Sequence, residues 1–320
     1  MGETSMTGRY HFRMTAPADL TQRFLLENLD IRGQVVRLGP AWRAILSRRD
    51  YPEALRPLLA EFAALAVLIA AGLKHPGRVV LQVMGDGPVA MAVADCTDEF
   101  ALRAMVKPDG KSPLLGASEA AAKDSPAPTG DGWGEGPTIH ELFPTGRLVL
   151  TVENASTARH FQSVVPLEGA TLAECFERYF DRSEQVPTHL WVRATRAGVG
   201  ALIIQKLPKA DERDPDGWAR VQQQAARGAP ASLGMEAGED TIGGLLTTLF
   251  PDDDVRLFKP VPVKDGCTRS EDKVVAMLRG LGRAEVEATL AEHGVVTVHD
   301  EICNQEYRFA APDVARIFED

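Results

Sequence analysis

The sequence predicts an α+β protein: an N-terminal core of mainly antiparallel sheet packed with helices, a helical linker, and a small C-terminal α+β domain. Three observations point there. Between residues 23 and 208, short β-branched runs alternate with stretches of helical period, and neighbouring runs lie only a tight turn apart. From 209 to 262 the chain becomes charged, then rich in Gln, Gly, Ala and Pro, before a last stretch of renewed apolar patterning. A chain of 320 residues, 44% hydrophobic and 25% charged, suits about two globular domains.

The elements follow in order. Residues 1–22 are polar and carry Arg9 and Arg13 without an apolar centre, so they read as a flexible tail and not as a secretory signal. Gly33 to Leu38 is a strand. Phe62 to Leu73, entered through Pro57, reads as a buried helix too short to cross a bilayer. Strands over Arg78 to Met84 and Val89 to Ala94 flank the turn Gly85-Asp86-Gly87-Pro88, which lacks the remaining residues of a phosphate-binding loop. Cys96, just beyond, has no partner motif and reads as an inert thiol.

Residues 109–138, dominated by Gly, Pro, Ala and Ser, predict a mobile surface loop. Strands resume at Arg147 to Val152 and Phe161 to Val165. Thr171 and Glu174 have capping-box spacing, and Leu172, Cys175, Phe176, Tyr179 and Phe180 make the apolar face of the helix they start. Leu190 to Ala194 and Gly200 to Leu207 close the sheet. In the linker, Ile242, Leu245, Leu246 and Leu249 recur at helical spacing, although Gly243 and Gly244 each weaken that helix by about 1 kcal/mol relative to alanine.

A net charge of −10 argues against sequence-independent binding to nucleic acid. Four cysteines in so long a chain predict a reducing compartment, and the expected location is cytoplasmic, with no membrane partner. The C-terminal domain, residues 263–320, holds Cys267 before Thr268-Arg269 and Cys303 after Asp300-Glu301-Ile302. A C-x-C followed by a distant C-x-x-C would ligate zinc through positions 267, 269, 300 and 303, yet Arg269 and Asp300 stand at two of them.

That frame resembles the C-terminal redox switch of the heat-shock protein 33 family. The family pattern falls without gaps on Cys267, Arg269, Ser270, Asp272, Lys273, Val274, then Glu292, Gly294, Val296, Asp300, Cys303, Tyr307 and Phe309. Family-like strings also occur at Phe24-Leu25-Leu26-Glu27-Asn28, Ile31-Arg32-Gly33, Gly85-Asp86-Gly87-Pro88, Tyr179 to Thr188 and Gly200 to Gln205. The resemblance implies a non-enzymatic, ATP-independent holdase for unfolding client proteins in the stress response, with a homodimer as a possible state. It also implies four domains: tail 1–22, core 23–208, metastable linker 209–262 that unfolds on activation, and redox-switch domain 263–320.

In the family, four reduced cysteines hold zinc, and oxidation expels it. Here Arg269 cannot ligate a cation, and Cys267, Cys303 and Asp300 make an incomplete metal site, with His299 the nearest substitute. On a strand over 295–299, however, His299 and Asp300 would point to opposite faces. The leading expectation is no cofactor, with Arg269 and Asp300 forming an ion pair in place of two thiolates. Alternatively, both residues are solvated and an apolar cluster (Val274, Met277, Leu278, Leu281, Val286, Leu290, Val296, Phe309) holds the domain. Thiols left in the family's zinc geometry would lie about 4 Å apart, within a modest shift of a disulfide that would lock the domain. Competing classes are a thiol enzyme using Cys267 or Cys303 with His299 or His293, and a partner-specific binding module.

Overall fold

Neighbouring residues of strand β2 (Ile31–Leu38) serve different cores, because side chains of a strand alternate between its faces. The computed structural model of the protein describes residues 19–110, 136–233 and 241–319. The expected loop lies outside the described residues from 111 to 135, as does the tail through residue 18.

β2 belongs to a six-stranded antiparallel sheet with β1 (Leu20–Leu26), β8 (Thr188–Ala194), β9 (Val199–Lys206), β10 (Val255–Leu257) and β11 (Val261–Pro262). Its order is β10-β1-β2-β9-β8, with β11 also beside β1. β1 starts at Leu20, three residues before the expected edge of the core. Phe24 lies opposite Gly33, and a Cβ at Gly33 would come within 2.1 Å of the Phe24 ring. The glycine therefore makes room for the aromatic ring across the strand pair.

The second sheet runs β12 (Lys264–Asp265), β5 (Ala101–Pro108), β4 (Val89–Thr97), β3 (Gly77–Met84), β6 (Arg147–Asn154), β7 (Arg159–Val165), and only β12–β5 is parallel. Between the sheets runs α2 (Arg56–Ala70), which touches strands of both. Eleven of its 15 residues are buried, as an all-round apolar helix requires. Helix α4 (Leu172–Arg182) closes one end of this core. Thr171 Oγ1 accepts the Glu174 amide at 3.2 Å as expected, but the Glu174 carboxylate takes the Ala170 amide at 2.8 Å instead of completing the box.

The opposite face of the first sheet carries a separate core. Phe24, Leu26, Ile31, Val35, Leu202 and Ile204 pack there against α6 (Gly217–Ser232) and α7 (Ile242–Leu249). The described residues of 209–262 thus form a cover with its own buried face, and β10 and β11 add strands to the sheet beneath it.

The C-terminal residues build a third, small core from α8 (Glu271–Leu281), α9 (Arg283–His293), α10 (Ala311–Ile317) and the hairpin β13 (Val296–Asp300)–β14 (Gln305–Phe309). Leu278, Val286, Val296 and Phe309 are buried in it as expected. Met277 and Leu281 are not; they lie on the outer face of α8. Among the described residues, no helix is long and apolar enough to cross a membrane.

Candidate functional site

Cys267 is placed by the core. β12 lies beside β5, Lys264 N–H donates to Phe100 O at 2.8 Å, and Gly266 N–H donates to Leu102 O at 2.8 Å. Asp265 forms an ion pair with Arg48, at the end of α1 (Pro40–Ser47), and accepts the Cys267 amide at 3.1 Å. Cys303 is placed by the C-terminal hairpin, in the turn between β13 and β14, where Asn304 takes a positive φ of 51°. Asp300 Oδ1 accepts the Cys303 amide at 3.0 Å and stiffens that turn.

The two sulfurs meet in a disulfide, with Cα atoms 5.4 Å apart and a sequence separation of 36. Cys303 is buried and Cys267 half-buried. The other two cysteines are reduced and buried, and burial pushes both thiols above the ordinary range. Cys175 Sγ also accepts the Gly169 amide at 3.3 Å.

The expected Arg269–Asp300 ion pair is not what the structure shows. Arg269 lies over the Tyr307 ring, 4.5 Å from its centroid, and donates to Glu306 O at 3.1 Å. Asp300 faces the core instead, 4.0 Å from Arg103. The reason is local: Arg269 finds an aromatic face and a carbonyl at no cost in carboxylate desolvation, while Asp300 is committed to the turn amide.

The residues present do not fit a structural zinc. Two sulfurs bonded to one another supply no thiolate, and Asp300 is engaged by an amide and a guanidinium. His299 points to the other side of β13, with Nδ1 3.6 Å from Glu301. Among the described residues, no cluster of three or more His, Cys, Asp or Glu side chains could hold a metal ion.

Sequence reasoning missed the cations beneath the turn. Lys107 pairs with Glu301 at 3.3 Å, a contact that holds the Glu301 carboxyl below its usual range. Arg49 donates to the carbonyls of Glu301 and Ile302, and Asn304 donates to Arg48 O at 2.6 Å. The signal available was the Arg48-Arg49 pair and the same-face spacing of Arg103 and Lys107 on β5.

The sequence model of the family described as Hsp33 protein matches residues 19–310. The 33 kDa chaperonin of Methylobacillus flagellatus is 32% identical over 303 residues, 94% of either chain. That of Shewanella denitrificans is 33% identical over 302 residues, 94% of this chain and 96% of the relative. The 33 kDa chaperonin (heat shock protein 33 homolog) of Thermotoga maritima shares the fold, with a TM-score of 0.72 at 20% identity over 94% of this chain and 97% of that one. The chain belongs to the Hsp33 family, a family of chaperones and not of enzymes.

Proposed function

We propose that this chain is a cytoplasmic, ATP-independent holdase whose control no longer uses zinc. Its client-binding surface is the apolar face of the first sheet, presented when the linker helices lift away. The observation that carries this reading is the cover itself. Helices α6 and α7 bury Val221, Ala225, Leu245, Leu246 and Leu249 against Phe24, Leu26, Val35 and Leu202, and so mask a contiguous apolar face.

The cover is built from weakly stable pieces. Pro230 lies inside α6, Gly243 and Gly244 open α7, and Thr247 and Thr248 donate back to the carbonyls of those two glycines. Such elements open at lower cost than the helix between the sheets. The face they protect is apolar, and the charge of −10 favours solubility of a complex with an unfolding chain.

Cys267–Cys303 takes the place of the family's metal clamp and locks the C-terminal domain. Light scattering of a thermally unfolding client enzyme, with and without prior treatment by peroxide or a dithiol, tests the reading. Equal protection in both states is expected for control released from zinc. Protection only after oxidation restores the family's scheme, and no protection in either state removes the holdase assignment.

A further inference from the structure

We infer that the cationic strip Arg48, Arg49, Arg103 and Lys107 on the core is a docking surface for the 300–304 turn of the same chain, and that the disulfide holds the turn in this dock. The inference concerns how the C-terminal domain is held and stands whether or not the chain binds clients.

The two halves of the disulfide have different anchors. Cys267 follows a segment fixed to the core by β12–β5 pairing, the Gly266 amide and the Arg48–Asp265 pair. Cys303 belongs to the C-terminal hairpin. The bond is therefore a covalent staple between a core-anchored strand and a turn of another small core.

Around that staple a set of polar contacts joins the core to the turn. Lys107 meets Glu301, Arg49 meets two turn carbonyls, Arg103 faces Asp300, and the Arg48 carbonyl accepts from Asn304. The Lys107–Glu301 pair is half exposed, with Lys107 at 52% and Glu301 at 48%. Contacts of this kind are individually weak in water and screened by salt. They suffice while the staple keeps the turn at high effective concentration above the strip. Once it is cut, the turn loses its covalent tie to the core-anchored strand and the strip holds it through these pairs.

Reduction is a two-electron step. A dithiol gives two electrons and two protons to the disulfide, leaving Cys267 and Cys303 as thiols and the reductant as its own cyclic disulfide. Closing the dock runs the other way: two thiols pass two electrons and two protons to peroxide, giving the disulfide and two waters.

The rate at which dithiothreitol reduces Cys267–Cys303 in the full chain tests the dock, because a docked turn shields the buried Cys303 sulfur. Arg49→Glu with Lys107→Glu is expected to speed reduction about tenfold, as lost pairs and new repulsion combine, and high salt to do the same in the unaltered protein. Arg103 is left alone because it also neutralises the buried Asp95, 2.6 Å away. Swapping charges in Lys107→Glu with Glu301→Lys is expected to restore the slow rate. Should the first variant fail to fold, Glu301→Gln probes the same contact from the turn. Reduction rates indifferent to both salt and charge reversal, or a swap that restores nothing, overturn the dock.

Discussion

Arg269 lies over Tyr307 with its guanidinium carbon 4.5 Å from the ring centroid, and Tyr307 in turn ties two segments together. The Tyr307 hydroxyl donates to Gln305 Oε1 at 2.8 Å and accepts the Ser270 amide at 3.2 Å. One aromatic residue on β14 thus fastens the segment between Cys267 and α8, and the arginine caps its outer face.

A double-mutant cycle on Arg269→Ala and Tyr307→Leu is accordingly expected to show a coupling of about 0.5–1 kcal/mol in thermal unfolding of the C-terminal domain. The corresponding cycle on Arg269→Ala and Asp300→Asn should show none. Coupling in the second cycle and not the first would reinstate an ion pair at this position.

The disulfide closes a loop between residues 36 positions apart in sequence. Constraining the unfolded chain in that way stabilises by about 3–4 kcal/mol on the chain-entropy account. Cys267→Ser with Cys303→Ser should therefore lower the unfolding temperature of the C-terminal domain and leave the sheet core unaffected. Calorimetry checks this, and a reductant should have no effect on the variant.

Glu61 gives stability a pH dependence. It lies on α2 beneath the start of α4, accepts the Leu172 amide at 2.7 Å, and burial pushes its pKa from 4.5 up to about 7. A carboxyl raised on folding is protonated in the native state while the unfolded chain is already ionised. Its contribution is therefore fully present below pH about 4.5 and is lost as pH rises through about 7, with a slope of up to about 1.4 kcal/mol per pH unit. Glu61→Gln should flatten the stability profile across that window in denaturant titrations. An unchanged slope would mean that Glu61 is not the group responsible.

Leu246→Ala removes a fully buried side chain from the cover, at a cost of about 2–4 kcal/mol to that core. Binding of a hydrophobic dye and hydrogen exchange in 217–249 should both rise without any change of redox state. Protection of clients should rise with them. A variant that opens by exchange yet gains no client binding would place the binding face elsewhere.

Much of this architecture was legible in the residues. The strands around Gly85-Asp86-Gly87-Pro88, the helix of Ile242, Leu245, Leu246 and Leu249, and the Thr171 cap all follow from period and turn chemistry. β5 was not legible, because Arg103 and Lys107 break its apolar run, and the turn before it, through Asp98, Glu99 and Phe100 with its positive φ, is one that no sequence signal announces. The frame of Cys267 and Cys303 drew attention to the right turn. It could not say which cations would stand beneath it, since Arg48 and Asp265 are 217 residues apart and Lys107 and Glu301 are 194. Arg269 was misassigned because sequence spacing places two side chains near one site without saying which way either points.

Val35 and Val36 are bonded neighbours, yet one packs under the linker helices and the other between the two sheets. The first sheet is in effect a bulkhead with an independent compartment on each side. Trimming Val35 would loosen the outer compartment and trimming Val36 the inner one, so a pair of adjacent alanine variants reads out which compartment has flooded under stress.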